Sequence, residues 1–383
     1  MDLVILGGGP AALETASAHY LHLSQQPTPF TITILEQHAQ LCGGILETWP
    51  DVKMFSTMNY NVTPHSLKLI PDFEVDATHA PTGKEYVAGY CTSLLTALLQ
   101  VPTITIKYKV TVNAVTRILP SCSKSTLTPS RANSKFRILV NDNQYIIATH
   151  VIDCTGVKYT TPLGPGGIPA LGERGFFASR PSVVSTVIAR PGESVAGNVV
   201  VVGSGYSAAT TLTNLLDLSP PPSITWLTRK PAPVYDVLDS DVLPLRKELC
   251  VATNGFVADD KVSHVSCAVI VEVKDGVLVL EDGKEVPYDR IYNHTGGRPD
   301  LGITKELQIH TCYATEGPMK LAASLMGGSG DCMAQVAAGV EALMTSEARF
   351  FVVGSKSYGR GGGYLHKIGG AQAEEIAKFN CQA

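Results

Sequence analysis

From Leu3 to Leu6 the chain is uninterruptedly apolar, and the pattern then changes to helical spacing. A short continuous apolar run predicts a strand buried on both faces of a parallel sheet. The change passes through Gly7-x-Gly9-x-x-Ala12, with Pro10 at the first helical position, where its missing N–H is not needed. Thr31–Leu35 predicts a second strand, ended by the acid Glu36. The same order of elements recurs downstream as strand 198–202, the turn Gly203-Ser204-Gly205-Tyr206-Ser207-Ala208-Ala209, a helix over 210–218 and a strand over 223–228. Between the two, Glu85 to Gln100 has helical spacing, with Tyr86, Tyr90, Leu94, Leu95, Leu98 and Leu99 on one broad face. Alternating segments at 103–106, 109–112, 136–140 and 145–147 predict a small antiparallel β-insert. His150–Gly156 and Arg290–Gly296 are apolar strands that each end in Thr-Gly, and the second is read as the return of the chain to the first domain. A hairpin is expected around Asp275-Gly276, and a strand over 348–353 with a helix over 364–379 closes the chain.

A strand, a glycine turn and a helix together make a pyrophosphate site. The first glycine permits the tight turn, the second lets backbone approach a phosphate, and the small third residue lets helix and strand pack. The helix N-terminus supplies free N–H groups and a positive dipole end. Gly7, Gly9, Pro10, Ala11 and Ala12 are therefore candidate cofactor contacts. Glu36, with its neighbour Gln37, is a candidate acceptor for ribose hydroxyls, at about the expected 20-residue distance. Gly203, Gly205, Tyr206, Ser207 and Ala208 are the corresponding candidates in the second fingerprint. There the second strand ends in Arg229-Lys230, cations that suit the 2′-phosphate of NADPH; two cations after a strand also read as solvated surface charge. Glycine at the carboxyl end of a strand lies where α/β sheets bind ligands, which adds Thr155, Gly156, Gly296 and Gly354.

The connections offer weaker candidates. Gly43-Gly44 is either a plain turn or another close backbone approach, so Gly44 and the nearby Trp49 are candidates, as is Val110. Residues 50–82, with Pro50, Pro64, Pro71 and Pro81, read as an irregular, lid-like excursion. Asn59 and Asn61 lie within it, either as turn formers or as catalytic groups. Ser121 to Ser134 reads as a mobile hairpin tip, and the Gly/Pro-dense Pro162–Pro169 as a linker at a domain boundary. His294 is read as a structural histidine or a cofactor contact, and Asp236, Asp239 and Asp241 as surface or capping groups. Lys356 and Arg360 follow the last strand and join Asn59 as candidate catalytic residues.

Composition narrows the class. A chain of 383 residues has room for two or three domains. Its 44% hydrophobic and 17% charged residues are ordinary for a globular protein, and a net charge of −4 gives no basic field for nucleic acid or an anionic membrane. No apolar run approaches the ~20 residues needed to span a bilayer. The first strand begins too early for a signal peptide, so a cytoplasmic setting is expected. The cysteines, Cys42, Cys91, Cys122, Cys154, Cys250, Cys267, Cys312, Cys332 and Cys381, show neither C-x-x-C nor zinc spacing, so no metal is expected and most read as free core thiols.

Two fingerprints about 200 residues apart, the second inserted into the first domain, resemble the two-dinucleotide-binding-domain flavoproteins. Within them the chain is most similar to the flavin-containing and N-hydroxylating monooxygenases. The resemblance covers most of the chain and rests on Gly7-x-Gly9-x-x-Ala12, Gly43-Gly44, Asp153-Cys154-Thr155-Gly156, Gly203-x-Gly205-x-Ser207-Ala208 and Thr228-Arg229. In place of the family's F-x-G-x-x-x-H linker signature stands Phe176-Phe177-Ala178-Ser179-Arg180. In place of the late Gly-Asp motif stands Gly354-Ser355-Lys356, and Gly330-Asp331 occurs earlier. The resemblance implies an α/β fold of two Rossmann-like domains of the glutathione-reductase type: an FAD domain over 1–160 and 292–383, carrying the β-insert, and an NADPH domain over 161–291. It implies FAD and NADPH as cofactors, and a closing helix whose N-terminus meets the pyrimidine edge of the flavin. It also implies a small-molecule substrate and dioxygen as partners, with a soft nucleophile such as an amine or sulfide oxygenated through a flavin C4a-hydroperoxide. Two other readings stay open: an NADPH:acceptor reductase or oxidase without oxygenation, and a non-enzymatic flavin redox sensor.

Overall fold

The computed structural model describes residues 1–118, 124–125, 129–326, 333 and 337–382. The chain forms two compact units, the first from Met1–Leu46, Ser56–Lys158 and Arg298–Ala383, the second from Glu47–Phe55 and Tyr159–Gly297. Cys122, Cys332, Gly330 and Asp331 lie outside the described residues, as do 121–123 and 126–128 of the expected hairpin tip, of which 129–133 is helical.

The first unit contains β1 (Asp2–Leu6), β2 (Thr31–Leu35), β3 (Ile104–Lys107), β4 (Val112–Arg117), β5 (Phe136–Val140), β6 (Gln144–Ala148) and β7 (His150–Asp153). The short β8 (Val157–Thr160) follows where the chain leaves this unit. With the last strand, β18 (Phe350–Val352), they make a parallel sheet in the order β18-β7-β1-β2-β3 and an antiparallel sheet β4-β5-β6. After the exposed Asp2, β1 is apolar because both its faces are covered. Val4 and Leu6 pack with Val115, Phe136 and Ile138 of the antiparallel insert. Helices Pro10–Leu23 and His366–Gln382 approach closely through Ala18, Ala373 and Ala377. The expected first strand of the insert, 103–106, is instead β3 of the parallel sheet, paired Ile32↔Ile104. A half-covered edge strand alternates in polarity just as an antiparallel strand does. The helix over 83–99 contains a π-turn at Val87–Cys91, and Leu99, expected on its apolar face, is 51% exposed.

The second unit contains β9 (Val184–Ser185), β10 (Asn198–Val202), β11 (Ser223–Leu227), β12 (Ser263–Val265), β13 (Ile270–Lys274), β14 (Val277–Leu280), β15 (Glu285–Pro287) and β16 (Arg290–Asn293). Its parallel sheet runs β12-β11-β10-β16-β9, and β13-β14-β15 is an antiparallel meander with its first turn at Asp275-Gly276. β17 (Gly297–Pro299) pairs with β8. β10 again serves two cores: Val199 and Val201 pack with Leu212 and Trp226, and Val200 and Val202 with Leu278 and Leu280. The expected return of the chain at residue 292 moves to Arg298, because β16 pairs with β10 from Val199↔Arg290 to Val202↔Asn293. Both sheets need a buried strand with a Thr-Gly exit beside their first strand, so that signature does not tell them apart. Among the described residues no helix is long and apolar enough to cross a membrane.

A buried carboxylate ties the insert to the end of the first unit. Glu347 accepts from Arg117 Nε (2.7 Å), from Arg131 Nη2 (2.8 Å) and from the Gln308 N–H (2.8 Å). Burial raises its pKa, but these donors outweigh burial and hold it below the ordinary carboxylate value. A depressed folded-state pKa gives stability that is full above the unfolded value, about 4.3, and is lost as pH falls through the folded one. Glu347→Ala removes the buried carboxylate to which both guanidinium groups donate and should cost about 3–5 kcal/mol in urea unfolding. The wild-type chain should lose stability below about pH 4.3, and part of that acid dependence should be absent from the variant.

Candidate cofactor-binding sites

In the first unit β1 runs into Gly7, whose φ of +87° is open to glycine. A Cβ there would stand 2.8 Å from the Cys154 carbonyl oxygen and 3.0 Å from Thr155 Cα, so the turn lies directly against the end of β7. Gly9 then caps the helix Pro10–Leu23, with no side chain capping its N-terminus, and a Cβ at Gly9 would meet nothing within 4 Å. Ala12 is fully buried beneath. Gly354, after β18, presses on Ala11, since a Cβ on it would stand 2.8 Å from the Ala11 Cβ. Gly7, Gly9, Ala11, Ala12, Thr155 and Gly354 are thus brought together, with Gly156 beside Ser355.

Glu36 ends β2 buried at 4% exposure. Its Oε2 accepts from the Gly8 N–H (2.7 Å), and its Oε1 from the His38 N–H (2.7 Å) and the His38 ring. His38 in turn fills the space over Gly43, where a Cβ would stand 2.4 Å from the imidazole. Gln37 and Gly44 are exposed. Val110 packs partly buried against the core, and its N–H bonds the Glu36 carbonyl (2.9 Å), so it supports the strand end.

The second unit repeats the construction. Gly203, with φ +129°, lies against the His294 carbonyl, 2.3 Å from an added Cβ. Gly205 caps the helix Tyr206–Leu216 without a side-chain cap, and a Cβ on it would meet nothing within 4 Å. Two aromatic donors that the sequence reading did not single out brace the turn. Trp226 Nε1 donates to the Gly203 carbonyl (2.8 Å), and the Tyr235 hydroxyl to the Gly205 carbonyl (2.9 Å). Tyr206 and Ser207 are exposed and Ala208 is buried. The His294 ring is buried, its Nε2 hydrogen-bonds Thr211 Oγ1 (2.7 Å), and burial pulls its pKa down to about 4.

A cavity of about 260 Å³ opens at the carboxyl ends of β10, β11 and β16. Gly203–Gly205, Arg229, His294–Gly296 and the loop Thr161–Gly167 line it. Gly296, expected in the first domain, therefore belongs to the second unit. The segment Pro162–Pro169, expected as a linker, is a compact loop. The buried Glu173 closes it by accepting from the N–H groups of Leu163 (3.0 Å) and Ala170 (2.7 Å). Only a glutamate after a Gly/Pro cluster pointed to this in the sequence. Arg229 and Lys230 are exposed, and Arg229 reaches the cavity wall.

The remaining candidates stand elsewhere. Asn59 sits exposed in a turn and accepts from Thr57 Oγ1 (2.5 Å), while Asn61 is buried and bonded to Ser56 and Thr57. Trp49 belongs to Glu47–Phe55 of the second unit and not to the domain expected to hold it. Arg360 has an exposed side chain and a backbone N–H bonded to Thr315 (2.7 Å). Lys356 is buried, with Nζ on Asp153 Oδ2 (2.6 Å) and Thr155 Oγ1 (3.0 Å). Cys42, without a partner nearby in sequence, meets the thiol of Cys91. Cys154 lies 3.6 Å from Thr15 Oγ1.

The two glycines of each turn do different work, which substitution can separate. Gly7→Ala should destabilise the chain by more than about 1 kcal/mol through strain and collision with β7. Gly9→Ala should stay within about 0.5 kcal/mol of wild type. Gly203→Ala and Gly205→Ala should divide in the same way in denaturant unfolding. Equal costs within a pair would show that the turn is held differently.

No family model matches the chain, and no curated protein matches it in sequence. Solved structures do match in fold. Bacillithiol disulfide reductase Bdr from Staphylococcus aureus superposes with a TM-score of 0.68 at 15% identity, over 100% of this chain and 98% of that one. The ornithine N-hydroxylase KtzI of Kutzneria sp. 744, with reduced FAD, NADP+ and L-ornithine, gives 0.59 at 15% identity, over 100% and 99%. A flavin-containing monooxygenase from Stenotrophomonas maltophilia gives 0.56 at 17% identity, over 99% and 97%. At these identities the likeness is one of architecture, and it shows that the chain has the α/β fold of two Rossmann-like domains found in these reductases and monooxygenases.

Proposed function

We propose that the chain is an FAD- and NADPH-dependent oxidoreductase that oxygenates a small soft nucleophile, an amine or a sulfide, with dioxygen. The observation that carries the two-cofactor reading is that one cradle is built twice with opposite charge beside it. Each cradle has a strained glycine against a neighbouring strand and an open glycine at an uncapped helix N-terminus. Space at Gly9 and Gly205, together with free N–H groups and a helix dipole, fits a pyrophosphate in each. Beside the first stands the carboxylate of Glu36, which fits ribose hydroxyls and repels a 2′-phosphate. Beside the second stand Arg229 and Lys230, which fit that phosphate. Bound FAD and NADPH would supply two-electron chemistry and oxygen activation that no side chain offers.

The residues of the chain hold, orient and shield. Gly9 and the helix it caps would hold the dinucleotide in the first unit, and Gly205, Arg229 and the loop closed by Glu173 would hold the one in the second. Two buried thiols of the first unit, Cys154 and Cys91, are poorly suited to relay electrons. Burial raises Cys154 to about 12 and Cys91 well above the ordinary thiol value, and a protonated thiol is a weak nucleophile. This supports direct transfer from NADPH to FAD. A second reading, an NADPH:acceptor reductase, is supported by the likeness to Bdr, which superposes with the higher TM-score of 0.68.

Replacing Arg229 and Lys230 by Ala should raise the KM for NADPH at least tenfold and leave NADH nearly unaffected, since each lost charge-assisted hydrogen bond costs about 1.5–3 kcal/mol. Equal losses with both nucleotides would mean that these cations do not read the phosphate. An oxygen electrode then separates the two reactions. Oxygenation consumes one dioxygen per NADPH with matching product when an amine or sulfide is supplied. Dioxygen-independent reduction of a quinone or disulfide, or dioxygen returned entirely as peroxide, would establish the reductase instead.

A further inference from the structure

The first unit buries an ion pair at a place where the second unit manages with an amide. β7 ends in Asp153 and β16 in Asn293, and the two do the same local work. Asp153 Oδ1 accepts from the Thr155 N–H (3.0 Å) and hydroxyl (2.7 Å). Asn293 Oδ1 accepts from the Thr295 N–H (3.2 Å) and hydroxyl (2.7 Å). In both units one side-chain oxygen receives the threonine N–H and faces its hydroxyl, and in the second unit a neutral side chain provides it, helped by the Asn293 amide and the Thr295 hydroxyl donating to the Thr161 carbonyl. The first unit nevertheless places a carboxylate there at 0% exposure and brings Lys356, at 3% exposure, from beyond β18 to meet it. Nζ lies 2.6 Å from Asp153 Oδ2 and 3.0 Å from Thr155 Oγ1.

Burying two charges where an amide suffices carries a desolvation cost, so the pair is not explained by turn geometry. Its position suggests what it does. Thr155 Cα stands 3.0 Å from an added Cβ on Gly7, so the pair lies directly behind the turn of the first cradle. Among groups shielded from water a charge acts at longer range than at the surface. Resting on the reading that this unit holds FAD, we infer that Lys356 is a positioning residue for the flavin: it cancels the charge of Asp153 and clamps Thr155, and so sets how readily the bound flavin takes up electrons.

The experiment is a charge cycle read by the midpoint potential of the bound flavin in the holoprotein. Lys356→Met leaves Asp153 uncompensated and should lower the potential, by at least tenfold in the two-electron equilibrium, or about 30 mV. Asp153→Asn leaves the lysine uncompensated and should raise it by a similar factor. The double variant, which copies the arrangement around Asn293, should return to the wild-type value, and Lys356→Arg should stay there. General damage to the site would not give single variants of opposite sign that cancel in the double. Shifts of the same sign, or unchanged potentials with flavin bound, overturn the inference. If Lys356→Met does not fold, Asp153→Asn and the double variant carry the test: a raised potential in the first that persists in the second also overturns it. Failure of the wild-type chain to take up FAD overturns the functional reading beneath it, and is seen before any variant is made.

Discussion

The contact between the first glycine of each turn and the carbonyl ending the neighbouring strand governs the rest of both units. Gly7 closes on Cys154, and Gly203 on His294, at separations that no side chain fits. That contact fixes β1 beside β7 and β10 beside β16 in parallel register. It therefore places the Thr-Gly exits of β7 and β16 next to the uncapped helix N-termini at Gly9 and Gly205. Space for a ligand follows from it, because backbone that packs tightly on one side of the turn leaves its other side open.

The two turns share this backbone but are held by different chemistry. In the first, a carboxylate grips from the outside, Glu36 accepting from the Gly8 N–H (2.7 Å). In the second, aromatic donors push up from the core, Trp226 and Tyr235 bonding the carbonyls of Gly203 and Gly205. A buried carboxylate at the strand end disfavours a 2′-phosphate there, whereas an aromatic brace leaves the strand end free to carry cations. Arg229 beside the second turn is compatible with its aromatic brace, and the selectivity proposed for the two units grows out of how each turn is supported.

Local features were legible in the sequence, and long-range pairings were not. Leu3–Leu6 and Val199–Val202 announced strands covered on both faces, and the glycine spacing announced the turns that follow. Strand identity was harder. Thr103–Ile106 alternates whether it edges a parallel sheet or starts an antiparallel one, and Arg290–Asn293 matches the fourth strand of either unit. Pro162–Pro169 has the composition of a linker, and only the hydrogen bonds from Leu163 and Ala170 to Glu173 make it a loop lining a cavity. Lys356 and Asp153 are 203 residues apart, and nothing in the pattern of either segment asks for the other.

The excursion after the first cradle shows how one buried group can reverse a reading from composition. Residues 50–82 have the prolines and aromatics of an irregular, lid-like excursion, yet Glu14, on the first helix, pins part of them. Its Oε2 accepts from Thr63 Oγ1 (2.6 Å) and Ser66 Oγ (2.6 Å) and lies 2.9 Å from His65 Nε2, while Tyr90 donates to Oε1 (2.5 Å). Burial alone would raise the pKa of this carboxyl, but the hydrogen bond and charge of His65 with the two hydroxyls hold it below the ordinary value, so it stays ionised and keeps its donors. Gly370 on the last helix then lets Thr63 approach, where a Cβ would stand 2.1 Å from the threonine methyl. A segment held by a satisfied buried charge on one helix and close-packed against another cannot open without stranding that charge, which costs several kcal/mol. Residues 63–66 are therefore fixed scaffold behind the first cradle.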